Sequence, residues 1–345
     1  MIKKTTVLLL CLCLCLPSLF SCNTYREKIY YQYFDTVITV SSTSSARRVF
    51  EERANAAEEM IARYHKLFDI YHEYAGVNNL CTVNRAAGKE AVEIDTDLFD
   101  FLVQAKDLYE KTNGHVNVMM GAVTSLWNTA RTDAEKGEGA VPTAEALSEA
   151  KKHIAIESLI LDGEKMTAYI SDPAASLDVG AFGKGYAAER VVVLLVSLGV
   201  DGAYVLDFGG NLRVIGAPHD REYFTAGIQD PKAAEGRGKY VLRLALNNRA
   251  LVTSGSYIRY FEIEGKRYHH LIDPETGYPA DLFASVSILG PDSGVCDALS
   301  TALFVMTKAE GEALIASMEG YEAVWVYATG EVTHTEGISN FAVSD

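Results

Sequence analysis

The stretch Ser176-Leu-Asp-Val-Gly-Ala-Phe-Gly-Lys-Gly-Tyr186 joins two segments of different periodicity. Residues 154–178 before it alternate like two strands joined at Asp162-Gly163, and residues 184–199 after it have helical spacing. Glycines at such a strand-to-helix bend let the backbone approach a ligand, and the free N–H groups of a helix start attract phosphate. Lys184 would add a positive charge. The stretch lacks the Gly-Lys-Ser/Thr ending of a P-loop and does not match the GxGxxG fingerprint of dinucleotide-binding proteins. A tight turn that needs glycine only for its shape is therefore the alternative.

Outward from this bend, helices and strands are mixed without regular βαβ alternation, which favours an α+β fold. Residues 30–40 are predicted as a strand, and 69–88 as a loop. The segment 131–143 is predicted as a surface loop, and 202–290 as short strands with glycine-rich turns. End strands are predicted at 322–328 and 331–335. Helices are predicted at 44–68, 96–112, 143–153, 184–199, 294–307 and 308–319.

The N-terminal segment differs from the rest of the chain. Lys3 and Lys4 precede an almost wholly apolar run, and Leu19-Phe20-Ser21-Cys22 follows. This pattern is typical of a secretory signal and is too short for a spanning helix. Because it ends on Leu-x-x-Cys, residues 1–21 are predicted as a lipoprotein signal, Cys22 as the lipidated residue, 22–28 as a tether and 29–345 as the folded domain. The protein would then be exported and lipid-anchored to the inner membrane, facing the periplasm; an ordinary signal with a chance cysteine is the alternative.

Charge and cysteine content exclude some classes of function. The net charge is −15, which repels nucleic-acid phosphates. An anionic ligand therefore needs local positive charge or a metal. Beyond the signal segment and Cys22, only Cys81 and Cys296 remain. Two cysteines make neither a disulfide framework nor a zinc site, and both are predicted to be packing residues.

Four further motifs could carry chemistry. Asp207-Phe-Gly-Gly-Asn211, with Arg213 close behind, and Val252-Thr-Ser-Gly-Ser-Tyr257 are also explained by turns. In 268–279, adjacent histidines point to opposite faces of a strand, so at most one of them faces a site as a proton acceptor. Asp297 and Thr301 share one helix face and offer the hard oxygen ligands that suit Mg²⁺, although a helix cap and a buried hydroxyl would look the same.

Together, and in this order, the motifs resemble the FAD:protein FMN transferase family (ApbE-type flavin transferases). The likeness runs from about Phe34 to Met306. The most specific segments are DVGAFGKGY (178–186), FGGNLRVIG (208–216), GIQDP (227–231), TSGSY (253–257), HHLIDPETGYP (269–279) and CDALSTALFVM (296–306).

The resemblance implies a two-lobed fold with FAD in the cleft between the lobes. It also implies Mg²⁺-dependent cleavage of FAD, with FMN transferred to a Thr or Ser of an acceptor flavoprotein and AMP released. The protein would contact the membrane only through its lipid anchor. The site residues implied are Asp178, Lys184, Thr124, Ser125, Ile272, Asn78 and Tyr71 for flavin binding, the Ala181 carbonyl, Asp297 and Thr301 for the metal, and His270 and Asp297 for catalysis. His270 would assist proton removal from the acceptor hydroxyl.

The sequence departs from the family pattern at 69–84, where the loop is longer and has Asn78 or Asn79 at the place of an aromatic ring in other members. Ala122 stands where proline is common. These changes lie where acceptor access would be decided, so transferase and FAD pyrophosphatase activities both remain open, with both in one enzyme favoured. A flavin-binding lipoprotein without catalysis is a further alternative, but simple capture would need no Mg²⁺ site.

Overall fold

The computed structural model describes residues 25–43, 46–233 and 240–343. The predicted signal segment and Cys22 lie outside these residues. The strands, in chain order, are β1 (Arg26–Tyr30), β2 (Ile38–Ser42), β3 (Val92–Glu93), β4 (Leu159–Asp162), β5 (Thr167–Ile170), β6 (Tyr204–Phe208), β7 (Asn211–Ile215), β8 (Phe224–Gln229), β9 (Tyr240–Leu246), β10 (Ala250–Gly255), β11 (Tyr260–Ile263), β12 (Lys266–His269), β13 (Phe283–Gly290), β14 (Glu322–Tyr327) and β15 (Val332–His334).

The helices are α1 (Arg47–Phe68), α2 (Leu80–Arg85), α3 (Thr96–Lys111), α4 (Gly121–Glu135), α5 (Ala144–Ala150), α6 (Gly183–Ser197), α7 (Ser293–Val305) and α8 (Lys308–Ala316). Short 3₁₀ turns occupy Lys151–His153, Ile156–Ser158 and Glu336–Asn340. Among the described residues, no helix is both long and apolar enough to cross a membrane.

An antiparallel sheet in the order β1-β2-β6-β7-β10-β13-β14-β15 organises the described chain. Helices α6 and α7 pack on one face of its central strands, and α1 packs against α6. On the opposite face, Val214, Leu251 and Leu289 pack against the β8–β9 hairpin. Because both faces are covered, the central strands are apolar on both sides, and the few polar residues among them are candidates for a site.

A smaller sheet, in the order β3-β5-β4, adjoins α2 and α3. The main hydrophobic core runs without interruption from the large sheet through α1 and α6 to this smaller sheet. The α+β class is therefore confirmed, whereas the division into two lobes with a cleft between them is not. Cys81 and Cys296 are free and buried, as predicted.

Helix α7, which carries Asp297, has clear sequence signals at both ends. Pro291 follows β13 and cannot donate to a strand ladder. The Asp292 side chain accepts the N–H of Val295 at 2.9 Å and caps the helix start. The helix ends at Val305, and Thr307 then begins α8 with a capping box to Glu310. These caps define the two ends of α7.

The structure corrects three predictions of secondary structure. The strand predicted at 30–40 is a hairpin, because Phe34 and Asp35 turn the chain with φ of 56° and 49°. Phe34 packs on His65, Phe68 and Phe208, so tertiary aromatic contacts hold a turn that lacks the usual turn residues.

The loop predicted at 69–88 contains α2, and α4 was missed: it covers residues 121–135 and therefore part of the loop predicted at 131–143. Residues 26–28, assigned to the tether, pair with β2 and belong to the sheet. The helices at 44–68, 96–112 and 184–199 are confirmed to within a few residues, as are the helices and strands after residue 293. The hairpin predicted within 154–178 is present, but its strands are shorter, and residues 163–166 form a four-residue turn where the two residues Asp162-Gly163 were predicted.

Candidate active site at the start of α6

The bend between β5 and α6 is joined to the start of α4 by backbone hydrogen bonds. Gly121 N–H donates to the Ser176 carbonyl at 3.0 Å, and Asp178 N–H donates to the Val118 carbonyl at 2.8 Å. A Cβ at Gly121 would lie 2.3 Å from Ser176 Oγ, so only glycine allows this approach. The contact brings Thr124 to Asp178, whose Oδ2 accepts the threonine hydroxyl at 2.7 Å. The two flavin residues predicted from different segments therefore meet.

The first turn of α6 lies against α7 through a second close approach. Gly185 N–H donates to Asp297 Oδ2 at 2.8 Å, and Lys184 Nζ lies 3.8 Å from the same oxygen. A Cβ at Gly185 would lie 2.3 Å from the Ser293 carbonyl oxygen. The anion bound by this N–H is thus the Asp297 carboxylate, so the Gly185 N–H is not among the free N–H groups of the helix start. Lys184, predicted to contact FAD, lies beside the same carboxylate.

Thr301 faces the same bend, one helical turn after Asp297. Its Oγ1 donates to the Ala181 carbonyl at 3.2 Å and lies 3.4 Å from Ser254 Oγ. The sequence prediction that Asp297 and Thr301 share a helix face is therefore confirmed. The carboxylate, the hydroxyl and the carbonyl converge on one bend and form an all-oxygen donor set.

This donor set fits a hard divalent cation such as Mg²⁺. Burial raises the pKa of Asp297, and Lys184 and the Gly185 N–H only partly oppose this effect. Asp297 is 4% exposed, so its charge is incompletely compensated in a place that water hardly reaches. Among the described residues, no group of three or more His, Cys, Asp or Glu could hold a metal by itself. A cation here would therefore complete its coordination with water or substrate phosphate oxygens, the usual habit of Mg²⁺.

The two adjacent histidines face opposite sides, as predicted. His269 points inward, where Nε2 donates to the Ala280 carbonyl at 2.6 Å and the ring packs on Phe304. The His270 side chain is exposed to solvent, although many protein atoms surround its ring. This burial, together with the charges of Lys184 and Arg259, lowers the pKa of His270 to about 4.

The tautomer of His270 follows from its hydrogen bond. Nδ1 lies 3.3 Å from the Arg259 carbonyl oxygen, which can only accept. The proton of the neutral ring is therefore on Nδ1, and the Nε2 lone pair is available. A neutral histidine with a free Nε2 is suited to accept a proton at neutral pH.

The other residues predicted to bind flavin differ in their exposure and in their contacts. Tyr71 is 59% exposed and lies beside α4, where its hydroxyl accepts from Asn128 at 3.5 Å. Partial burial and the charge of nearby Asp178 raise the pKa of Tyr71. Ser125 is exposed on α4 and donates to the Ala122 carbonyl. Ile272 is 9% exposed and packs with Met120, Val123 and Trp127 in a small core.

Asn78 lies apart from this group. Its amide donates to the Glu93 carbonyl at 2.8 Å, and it lines a recess of about 650 Å³ beside α1. Its neighbour Asn79 is fully buried and caps α2. Neither asparagine is therefore joined by a contact to Asp178 or Thr124.

The sequence motifs gave no role to three polar residues of this region. Asn84 bonds to both backbone groups of Leu177, with distances of 2.7 and 3.0 Å, and so fixes the bend before Asp178. Asn211 and Glu189 are buried polar residues beside α7. Asn211 was visible in the Gly-Gly-Asn motif, but only the register of the sheet shows what it faces.

Comparisons with known proteins identify the family of this chain. A family model described as the ApbE family matches residues 34–325. The chain is 33% identical to a FAD:protein FMN transferase of Treponema pallidum over 313 residues, which cover 84% of this chain and 83% of that protein. It is 30% identical to one of Klebsiella pneumoniae over 277 residues, covering 80% and 82%.

Solved structures give the same result. The crystal structure of the ApbE protein from Thermotoga maritima superposes with a TM-score of 0.82 and 26% identity, covering 93% of this chain and all of that one. The flavin transferase ApbE from Vibrio cholerae superposes with a TM-score of 0.75 over 92% of this chain; at 21% identity it supports the fold alone.

Proposed function

The chain belongs to the ApbE family, and on this premise we propose that it is a FAD:protein FMN transferase that uses Mg²⁺. The observation that carries the proposal is the convergence of the Asp297 carboxylate, the Thr301 hydroxyl and the Ala181 carbonyl beside the start of α6. A cation bound there would neutralise charge on the pyrophosphate and on departing AMP.

The residues of the chain divide the remaining work. Asp178, held by Thr124 and by the Gly180 N–H, would orient the flavin side of the substrate. His270 Nε2 would accept the proton of the acceptor Thr or Ser hydroxyl while its oxygen bonds to the FMN phosphorus. The bond between that phosphorus and the bridging oxygen breaks, and AMP leaves with the oxygen. Proton transfer to a positioned base contributes about 10²–10⁴-fold.

Water is the competing acceptor and gives FMN and AMP as a FAD pyrophosphatase would. We propose that the chain can carry out both reactions, because the side chain of His270 is exposed to solvent. A hydroxyl from a docked protein and a water molecule could both reach Nε2. The ratio of transfer to hydrolysis would then depend on whether a bound acceptor protein excludes water from His270.

The proposal is tested by incubating the protein with FAD and Mg²⁺ and measuring AMP by chromatography. Intact-mass spectrometry of candidate acceptor proteins in the same mixture shows whether FMN is attached. Free FMN without an acceptor indicates hydrolysis, and a mass gain on the acceptor indicates transfer. FAD that is bound but yields no AMP under either condition would instead support a non-catalytic flavin-binding protein.

We also propose that the protein is exported and held at the inner membrane by a lipid on Cys22, facing the periplasm. The support is the charged, apolar and Leu-x-x-Cys sequence of residues 3–22. Metabolic labelling with a radioactive fatty acid should label the wild-type protein and not Cys22→Ala. Equal labelling of the two would contradict the lipid anchor.

A further inference from the structure

Two hydrogen bonds between a backbone N–H and a carboxylate join α6 to α7, one helical turn apart. Gly185 N–H donates to Asp297 Oδ2 at 2.8 Å, and Ser293 N–H donates to Glu189 Oε2 at 2.8 Å. Glu189 follows Gly185 by one helical turn, while Ser293 precedes Asp297 by one turn. The helices therefore run antiparallel at this contact, with a separation of about 6 Å along the axis between the two bonds.

Strand β7 presents two buried polar residues to the same pair of helices. Asn211 and Arg213 are 3% and 7% exposed, and they lie two residues apart on one strand face. Two residues of a strand span about 6.6 Å, which matches one turn of helix. Two side chains of one strand can therefore lie beside both helix contacts.

Arg213 bonds to Glu189, the carboxylate of the second helix contact. Its Nε donates to Glu189 Oε2 at 2.9 Å and its Nη2 to Oε1 at 3.2 Å, while Nη1 donates to the Val214 carbonyl at 2.6 Å. This forked arrangement fixes the Glu189 carboxylate in direction as well as distance. Since Glu189 also accepts the first N–H of α7, Arg213 fixes the start of that helix relative to β7.

Asn211 lies two residues before Arg213 on the same face of β7, at the spacing of the other helix contact. Its side chain is buried, and its Nδ2 has no hydrogen-bond partner among the described residues. A buried donor without a good partner costs stability. A buried ion pair is also seldom more stabilising than an apolar pair of the same volume. Stability alone therefore does not account for this arrangement, whereas orientation of Asp297 does.

We propose that Asn211 and the Glu189–Arg213 ion pair are positioning residues, which hold the Asp297 carboxylate in the orientation that binds a divalent cation. This inference rests on the cation site of the proposed function. It adds three residues outside the donor set to that site and assigns a role to the Gly-Gly-Asn motif and the Arg213 that follows it.

The test is a calorimetric titration of the full folded protein with Mn²⁺, followed by displacement with Mg²⁺, in the absence of FAD. Asn211→Leu removes the hydrogen-bonding groups and keeps the number and branching of the side-chain heavy atoms. We expect its dissociation constant for Mn²⁺ to rise about 10- to 100-fold, as for other residues that orient metal ligands. An unchanged constant in a folded Asn211→Leu protein would overturn the role of Asn211.

Asn79→Leu is the matched control, because Asn79 is equally buried but caps α2 and bonds to the carbonyls of Lys66 and His72. It should lower the urea midpoint of unfolding and leave the Mn²⁺ constant unchanged. Equal losses of affinity in both variants would show that general destabilisation is responsible, and the positioning role would be abandoned.

The ion pair is tested with a double variant, Glu189→Gln with Arg213→Gln, since a single change would leave an unpaired buried charge and could prevent folding. The double variant should bind Mn²⁺ about tenfold more weakly. Wild-type affinity in the double variant would refute the part played by the pair. If the wild-type protein itself binds no Mn²⁺, the cation site and the positioning role both fail, which separates that result from a failure of the inference alone.

Discussion

Replacing Gly185 with alanine tests the closest contact in the site. The new Cβ would lie 2.3 Å from the Ser293 carbonyl oxygen and 2.5 Å from Asp297 Cβ. Real Cβ atoms do not approach this closely, and the Ser293 oxygen belongs to the backbone of α7, so it cannot turn aside. The two helices must therefore separate, and the hydrogen bond from the residue 185 N–H to Asp297, 2.8 Å long, must lengthen.

The expected loss of stability can be worked from three contributions. Overpacking a close contact costs about 1–3 kcal/mol. Weakening a buried hydrogen bond to a charged group costs about 1.5–3 kcal/mol. Alanine in place of glycine inside a helix returns about 1 kcal/mol. The net change for Gly185→Ala is a destabilisation of about 3 kcal/mol, accompanied by a higher Mg²⁺ requirement because Asp297 moves.

Gly183→Ala provides the matched control, two residues earlier in the same helix. The nearest atoms to its Cβ would be Val179 Cγ2 at 3.4 Å and Phe68 Cδ2 at 3.5 Å, which is ordinary contact. This variant should be neutral or more stable by up to about 1 kcal/mol. Urea unfolding followed by circular dichroism measures both. If Gly185→Ala and Gly183→Ala unfold at the same urea concentration, the tight packing of α6 on α7 is refuted.

The other predictions concern the donor set and the base. Asp297→Ala should lower AMP release by roughly 10³-fold, because several kcal/mol of charge stabilisation are lost; wild-type release at limiting Mg²⁺ would contradict the metal assignment. Thr301→Val should raise the Mg²⁺ concentration for half-maximal rate about tenfold, for a lost ligand of about 1.5 kcal/mol, and Thr301→Ser should not. His270→Gln should lower FMN transfer by about 10²–10⁴-fold with FAD affinity, measured by fluorescence, unchanged. Because the pKa of His270 is lowered to about 4, Nε2 keeps its lone pair above that pH, and kcat/KM should fall only towards pH 4; a fall near the ordinary histidine pKa of about 6.5 would argue against it.

The parts of the site that follow helical spacing could be predicted from the sequence. Asp297 and Thr301 are four residues apart on a periodic segment with a capping aspartate, so their shared face follows from geometry alone. The opposite directions of His269 and His270 follow in the same way from strand alternation. Local periodicity therefore gave the side-chain directions correctly wherever the element itself was recognised.

Contacts between distant segments could not be predicted in this way. The Gly185 N–H bonds to a carboxylate 112 residues later, and the Thr124 hydroxyl bonds to Asp178, 54 residues later. Helix α4 was missed because it begins without a capping side chain; its first residue is fixed by the Ser176 carbonyl instead. The hairpin turn at Phe34 and Asp35 was missed because aromatic packing, rather than turn residues, stabilises it.

The distribution of the site over rigid and irregular elements bears on its two possible reactions. The groups proposed for pyrophosphate cleavage lie on α7 and at the start of α6, held by buried helix–helix and helix–sheet contacts. The segments where acceptor access would be decided lie elsewhere: the segment around Tyr71 follows α1, and His270 follows β12 and bonds to the backbone of the turn at Arg259. Loop positions tolerate change better than buried helix contacts. Substitutions beside Tyr71 and Arg259 should therefore shift the ratio of transfer to hydrolysis more than they lower the total cleavage of FAD, because the groups proposed to break the pyrophosphate lie on other elements.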